Sequence, residues 1–313
     1  SLRNIYVDLG KVEDYFTYAS KLDFANISVT EQDSITYTSA ENQYMSEDYT
    51  SALVSLEKYV NQFPDGGYLL SAHYFLAECL FKDARIADAL NSYEFVLNQP
   101  LSEYTESALL KAANLCYTLE KYDTSLVYFS KLEETAQVKE NIAEAWYGQM
   151  KNNYLLGNYE EAISPADKLL QQEKLSDEMK LEAMLIRARS LNATDEILLA
   201  KAQYKKIAEF SQGEAGAESI YQIAKIGYEL QDYKVAEEEL FQLFNNYAAY
   251  DYWIAKGFIL LSDIYLATDN TFQAKQTLQS ILDNYDGEDL KAVAAQKLEE
   301  ILLMEDPEEE TVE

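Results

Sequence analysis

Along most of the chain, apolar residues recur at three- and four-residue spacing, and each such stretch ends in a short polar group before the next begins. Leu-Gly-Asn-Tyr at 156–159 and Leu-Gln-Asp-Tyr at 230–233 are two of these interruptions. The pattern predicts paired antiparallel helices joined by short turns.

The pairs repeat. Superposing NQYMSEDYTSALVSLEKY, ECLFKDARIADALNSYEFV, NLCYTLEKYDTSLVYFSKL, NNYLLGNYEEAISPADKLL, KIGYELQDYKVAEEELFQL and IYLATDNTFQAKQTLQSIL aligns a small residue followed, four places on, by a larger apolar one. The small residues are Ala52, Ala89, Ser125, Ala162, Ala236 and Ala274; Ala200 joins them from ILLAKAQYKKI, and Tyr15 holds the place in a partial first unit. Successive intervals are 37, 37, 36, 37, 38, 36 and 38 residues. A period of this length implies a stacked array in which no unit buries its apolar face alone.

On these residues the chain resembles the tetratricopeptide repeat family over residues 1–287. The fifth unit carries the resemblance best, with Trp146 near its start, Gly157 and Tyr159 at the turn, and Ala162 at the helix crossing. The resemblance implies a second small place midway along each first helix, here Ala40, Ala77, Ala113, Met150, Ala188, Ala224 and Ser262. Helices approach to about 8–10 Å only where the side chains between them are small. It further implies an all-α, right-handed solenoid of stacked helical hairpins. The expected organisation is a single array over 1–304: a partial repeat at 1–30, seven repeats at 31–287 and a capping helix at 288–304. Residues 305–313, acidic and broken by Pro307, read as a disordered tail.

There are departures from the family pattern. The intervals exceed the family's usual period of about 34 residues. Proline near the end of a unit occurs only at Pro64 and Pro100, and the sixth turn has Asp195 and Glu196 followed by Ile197 where tyrosine is common. Pro165 falls inside a predicted second helix, where a lost backbone hydrogen bond predicts a kink. Another helical-hairpin solenoid, such as a Sel1-like array, is the alternative architecture.

Composition narrows the function classes. Four Pro and 10 Gly among 313 residues favour long helices over a strand-and-turn fold. With 25 Lys and Arg against 55 Asp and Glu, the net charge of −30 repels phosphates, so neither nucleic acid nor an anionic lipid surface is an expected partner. No apolar run approaches the roughly 20 residues that span a bilayer. Cys79 and Cys116 lie in apolar helical stretches and read as buried free thiols. His73, the one histidine, falls at a core place and reads as satisfied and partly buried. No GxSxG, phosphate loop or HExxH is present, and DNYDGED at 283–289 lacks the spacing of a calcium loop. The expectation is a protein that is not an enzyme and uses no metal or cofactor. The chain opens on Ser1 directly into helix-like sequence, which reads as a fragment. Few arginines beside plentiful lysine and tyrosine resemble envelope-associated repeat proteins of bacteria.

In the family, the first helices line a groove that grips peptides. Carried over place by place, one row reads Tyr37, Tyr74, Leu110, Tyr147, Leu185, Tyr221 and Ile259, and a second row, seven residues on, reads Tyr44, Phe81, Tyr117, Tyr154, Asn192, Tyr228 and Leu266. Between them lies a third place with Glu41, Glu78, Asn114, Lys151, Arg189, Lys225 and Asp263. Tyrosine combines broad apolar contact with a polar tip, suited to extended peptides. The candidate binding residues are therefore Tyr74, Phe81, Tyr117, Tyr147, Lys151, Tyr154, Arg189, Tyr221, Lys225 and Tyr228. Their expected partner is a protein or peptide; the consecutive basic residues Lys151, Arg189 and Lys225 favour one that carries carboxylates. A purely structural spacer, and a module that stacks sugars on the tyrosines, are the competing readings.

Overall fold

A computed structural model of the chain describes residues 2–22 and 27–305. They form α-helices, and no strand occurs among them. The fold divides into two compact units, Ser1–Leu156 and Gly157–Glu313. The boundary falls in the turn of the fifth predicted hairpin.

The first unit contains α1 (Leu2–Asp8), α2 (Val12–Ala19), α3 (Val29–Met45), α4 (Tyr49–Gln62), α5 (Leu69–Lys82), α6 (Ile86–Leu97), α7 (Thr105–Thr118), α8 (Tyr122–Thr135) and α9 (Lys139–Leu155). From α1 to α8 each packs on its successor, and alternate helices also touch, α3 with α5 and α7 with α9. The second unit contains α10 (Tyr159–Leu170), α11 (Asp177–Ala193), α12 (Ile197–Phe210), α13 (Glu214–Glu229), α14 (Tyr233–Asn246), α15 (Asp251–Ala267), α16 (Thr271–Asn284) and α17 (Glu288–Glu305). There α13 touches α15 and α15 touches α17 in the same way.

Small residues set the crossings. Ala40, Ala77 and Ala113 on first helices, and Ala52, Ala89 and Ser125 on second helices, have no solvent exposure. In the second unit the same holds for Ala188, Ala224 and Ser262, and for Ala162, Ala200, Ala236 and Ala274. The approach is direct: Ser125 Oγ donates to the Ala113 carbonyl at 2.9 Å, and a Cβ added to Gly227 would lie 3.2 Å from that of Ala236. Four places after the small residue, Leu56, Tyr93, Phe129, Tyr204, Leu240 and Leu278 fill the core. In α10 that place holds Ala166 instead, beside Pro165, and the helix continues through the proline.

Every turn between paired helices contains one residue in the left-handed region. These are Gly10, Glu47, Ala84, Glu120, Gly157, Asp195, Gln231 and Asp269, with φ between 57° and 79°. Glycine is the usual solution at such a place, yet only two of these are glycine. Backbone hydrogen bonds hold the others there. The Ala84 N–H reaches the Phe81 carbonyl and the Arg85 N–H that of Leu80; Glu120 with Lys121 and Gln231 with Asp232 repeat the arrangement. This is the Schellman closure, which satisfies the orphan carbonyls of the first helix.

The first hairpin differs. Tyr15, in the place of the small residue, is half-buried and joins Val7, Val12, Phe16 and Ile35 in a small cluster. At the other end, Ala294 and Ile301 of α17 bury against Ala274, Leu278 and Ile281 of α16. The expected tail lies, after Glu305, outside the described residues.

Candidate peptide-binding face

In the first unit, rings from successive first helices pack on one another. Tyr37 is buried, lies flat on Tyr68 at 4.6 Å between centroids and donates its hydroxyl to Glu41 at 2.8 Å. Tyr74 is half-buried, stacks on Tyr104 at 4.7 Å and shares a 2.9 Å hydrogen bond with Ser107. In the second row, Tyr44 meets Tyr49 edge-on at 5.5 Å, and Tyr117 meets Tyr122 likewise at 5.6 Å. Phe81 is 47% exposed, whereas Tyr117, Tyr147 and Tyr154 are each half-buried. The structure brings Tyr117, Tyr147 and Lys151 together, with the ammonium 4.9 and 4.8 Å from the two ring centroids, a cation–π arrangement. Burial pushes the nearby Glu144 carboxyl up, and Lys151 pulls it partly back.

Glu78 has a different job. It is buried, accepts from the Tyr93 hydroxyl at 2.5 Å, and receives Lys111 Nζ of α7 on both oxygens at 2.6 Å. It therefore ties α5, α6 and α7 together. The family's tryptophan place is likewise structural in part, since Trp146 Nε1 donates to Glu133 of α8 at 2.7 Å.

In the second unit, ion pairs between first helices recur. Arg189 of α11 grips Glu218 of α13 through two hydrogen bonds, 2.8 and 2.6 Å, and Asp263 of α15 accepts from Lys297 of α17 at 2.6 Å. Lys225 lies 3.5 Å from Glu229 one turn later. The basic residues of this unit's third row thus have carboxylates of their own, which reduces the field expected from them. Tyr221 is withdrawn from solvent, 9% exposed, beneath Trp253 at 5.6 Å. Burial, with smaller contributions from Asp263, Tyr252 and Glu229, pushes its hydroxyl up to about 12. Tyr228 is half-buried against Tyr233 at 5.7 Å.

Elsewhere, Cys79 and Cys116 are buried free thiols; burial raises both, Cys79 to about 11, so neither is a ready thiolate. His73 is half-buried as expected and stacks on Phe95 at 3.7 Å. It is not satisfied, however: its buried Nδ1 has no hydrogen-bond partner among the described residues. Burial lowers its pKa. Among the described residues no helix is long and apolar enough to cross a membrane.

The ties Glu78–Lys111, Glu218–Arg189 and Asp263–Lys297 escaped the sequence reading because their partners are 29 to 34 residues apart. The ring pairs left a local signal, a tyrosine five residues after each of Tyr44, Tyr117 and Tyr228.

Stacked hairpins with buried small residues at every regular crossing define an all-α helical-repeat protein. The tetratricopeptide repeat model matches residues 258–287, and solved tetratricopeptide proteins share the fold. The C-terminal part of such a protein from Cytophaga hutchinsonii is 11% identical, with 81% of this chain and 97% of that one covered and a TM-score of 0.58. A tetratricopeptide repeat protein from Parabacteroides merdae is 17% identical over 86% and 98%, TM-score 0.44. YrrB, a tetratricopeptide protein with an unusual peptide-binding site, is 17% identical over 66% and 98%, TM-score 0.49. No curated protein matches the chain.

Proposed function

We propose that this chain is a non-enzymatic scaffold that holds an extended peptide, or a peptide-like segment of a partner protein, on the faces of its first helices. The observation that carries this reading is the set of half-exposed rings, Phe81, Tyr117, Tyr147 and Tyr154 in the first unit and Tyr228 in the second. Tyr117 and Tyr228 are each braced by a second ring, Tyr122 and Tyr233, so little side-chain entropy is lost when a ligand covers them. Tyr74 supports the face of unit 1 from within, and Tyr221 that of unit 2. Lys151 presents a cation between rings, which favours a carboxylate beside an apolar side chain. Arg189 and Lys225 hold the corresponding place in the second unit, where they neutralise Glu218 and Glu229. With a net charge of −30, phosphate backbones are repelled, so nucleic acid is not the partner.

The test is selection of random decapeptides on the immobilised full chain, followed by affinity measurement with Tyr154→Ala and Tyr228→Ala. Each truncation is expected to cost more than about 1 kcal/mol if the ring is an anchor, with helix content unchanged. Peptides that bind all variants equally would move the site off these faces. The spacer reading is favoured by the burial of Tyr37 and Tyr221, and it predicts no selected peptide at all.

A further inference from the structure

One place on the first helices reverses its charge along the chain. Three residues before the first candidate row stand Ser34, Ser71 and Ser107, then Glu144, Glu182 and Glu218, and finally Lys256 on α15. Glu218 is taken up by Arg189. Lys256, in contrast, has no carboxylate within ion-pair distance among the described residues, although the chain carries 55 acidic side chains. Its ammonium sits instead among three rings, 4.9 Å from the centroid of Tyr221, 5.0 Å from Trp253 and 5.3 Å from Tyr252. Those rings brace one another: Tyr252 meets Trp253 edge-on at 5.2 Å, and Trp253 leans on Tyr221 at 5.6 Å. Tyr221 is the buried floor, and Tyr252, 42% exposed, is the outer wall.

Ring faces attract a cation but accept few of its hydrogen bonds, so the ammonium keeps donors for an anion. A second donor lies in the same cluster. The indole Nε1 of Trp253 is buried and has no acceptor among the described residues, an arrangement that a ligand bringing an oxygen would relieve. Two donors without acceptors, walled by an exposed ring, fit a carboxylate attached to something apolar.

We infer that Lys256, Trp253, Tyr252 and Tyr221 form a subsite of the second unit for a peptide carboxylate flanked by an aromatic or large aliphatic side chain. The subsite rests on the peptide-binding reading above and adds to it the chemistry of the residue recognised. Lys256 holds the carboxylate, Trp253 turns its N–H onto one oxygen, and the ring of Tyr252 covers the neighbouring apolar group. The carboxylate can belong to an Asp or Glu side chain or to a chain terminus.

The experiment starts from random decapeptides selected on the full chain, with the enriched sequence then synthesised and its binding followed by fluorescence anisotropy. The wild-type chain is expected to enrich an acidic residue next to an aromatic or Leu, and replacing that acid by its amide should weaken binding about tenfold. In Lys256→Gln the acid and amide forms should bind alike, and Lys256→Glu should turn the preference towards a basic residue. Trp253→Phe, which keeps a ring and removes the N–H, should lose part of the acid's advantage. Lys234→Glu, an exposed lysine of α14 with the same charge change, should retain all of it. If amidating the peptide's C-terminus, rather than its side chain, removes the tenfold, the terminus is the occupant and the subsite stands. An acid preference that survives Lys256→Gln overturns the subsite while leaving the binding face intact, since Tyr154→Ala still weakens binding. Selection that yields no peptide overturns both. Circular dichroism and thermal unfolding show whether each variant is folded, and Lys256→Gln, nearly isosteric, serves if the Glu variant is not.

Discussion

In residues 1–156, successive first helices are tied mainly through rings: Tyr37 on Tyr68, Tyr74 on Tyr104, Tyr44 on Phe75. In residues 157–313 one ring tie of this kind remains, Tyr221 to Trp253, and ion pairs are added, Arg189 to Glu218 and Asp263 to Lys297, where the first unit has Glu78 to Lys111. The crossings within hairpins do not vary in this way, because a helix pair cannot close around a large side chain. Small residues are thus demanded where backbones meet, while the contacts between neighbouring hairpins leave the chemistry open. A repeat protein can therefore change its face without changing its frame.

The frame offers the largest effect. Ala89→Leu in the first unit and Ala236→Leu in the second should each cost about 1–3 kcal/mol in urea unfolding, and by similar amounts, because both sites are fully buried at a crossing. Glu160→Ala, on an exposed face, should stay within about 0.5 kcal/mol. Unequal losses at the two alanines would show that the frames differ as well as the faces.

The ties come next. Glu218→Gln leaves the Arg189 guanidinium without its carboxylate and should cost about 1–2 kcal/mol, a loss that shrinks as salt is raised. Tyr104→Leu should cost about 0.5–1.5 kcal/mol at any salt concentration. Hydrogen exchange followed along the chain would assign each loss to its own unit. A salt-insensitive Glu218 variant would erase the contrast.

The turns give a smaller effect, common to both units. Gly157 has φ of 79° with open space where a Cβ would go, so Gly157→Ala isolates backbone strain of about 1 kcal/mol. Ala84→Gly, at φ of 59°, should stabilise by about 0.5–1 kcal/mol. Thermal unfolding reads both.

The smallest effect belongs to the first unit alone, since the chain has one histidine. Burial lowers the pKa of His73, so below the unfolded value of about 6.5 the unfolded chain binds the proton more readily. The contribution of His73 to stability is therefore complete above that pH and is lost as pH falls through and below it. The single imidazole resonance should titrate below 6.5, and His73→Phe should remove this slope from the unfolding curve.

The frame was legible in the sequence because its signal is local and recurrent. Alanine at 52, 89, 162, 200, 236 and 274, each buried without exposure, follows from helix approach alone. Faces were legible only as residue types. Whether Tyr74 presents its ring or spends it on Tyr104 depends on a residue 30 positions away, and the partner of Arg189 is 29 positions away in another helix. The turns were legible in place but not in conformation. Gly157 marks one of them, but Glu47, Glu120 and Gln231 adopt the same conformation because closing hydrogen bonds outweigh the preference for glycine. Lys256 passed unnoticed because it lies one turn ahead of the rows that the family resemblance singled out.

The two tryptophans fall one to each unit, and their surroundings differ. Trp146 gives its N–H to a carboxylate of α8, while Trp253 is packed between two tyrosines with an ammonium 5.0 Å from its ring centroid. Light absorbed by tyrosine is passed to a nearby indole, so the two emitters act as separate optical reporters fed by the rings around them. Trp146→Phe would leave emission from the second unit alone, and Trp253→Phe from the first. Melting followed in the two variants would then show whether the units lose their structure together or in turn, without any label being added.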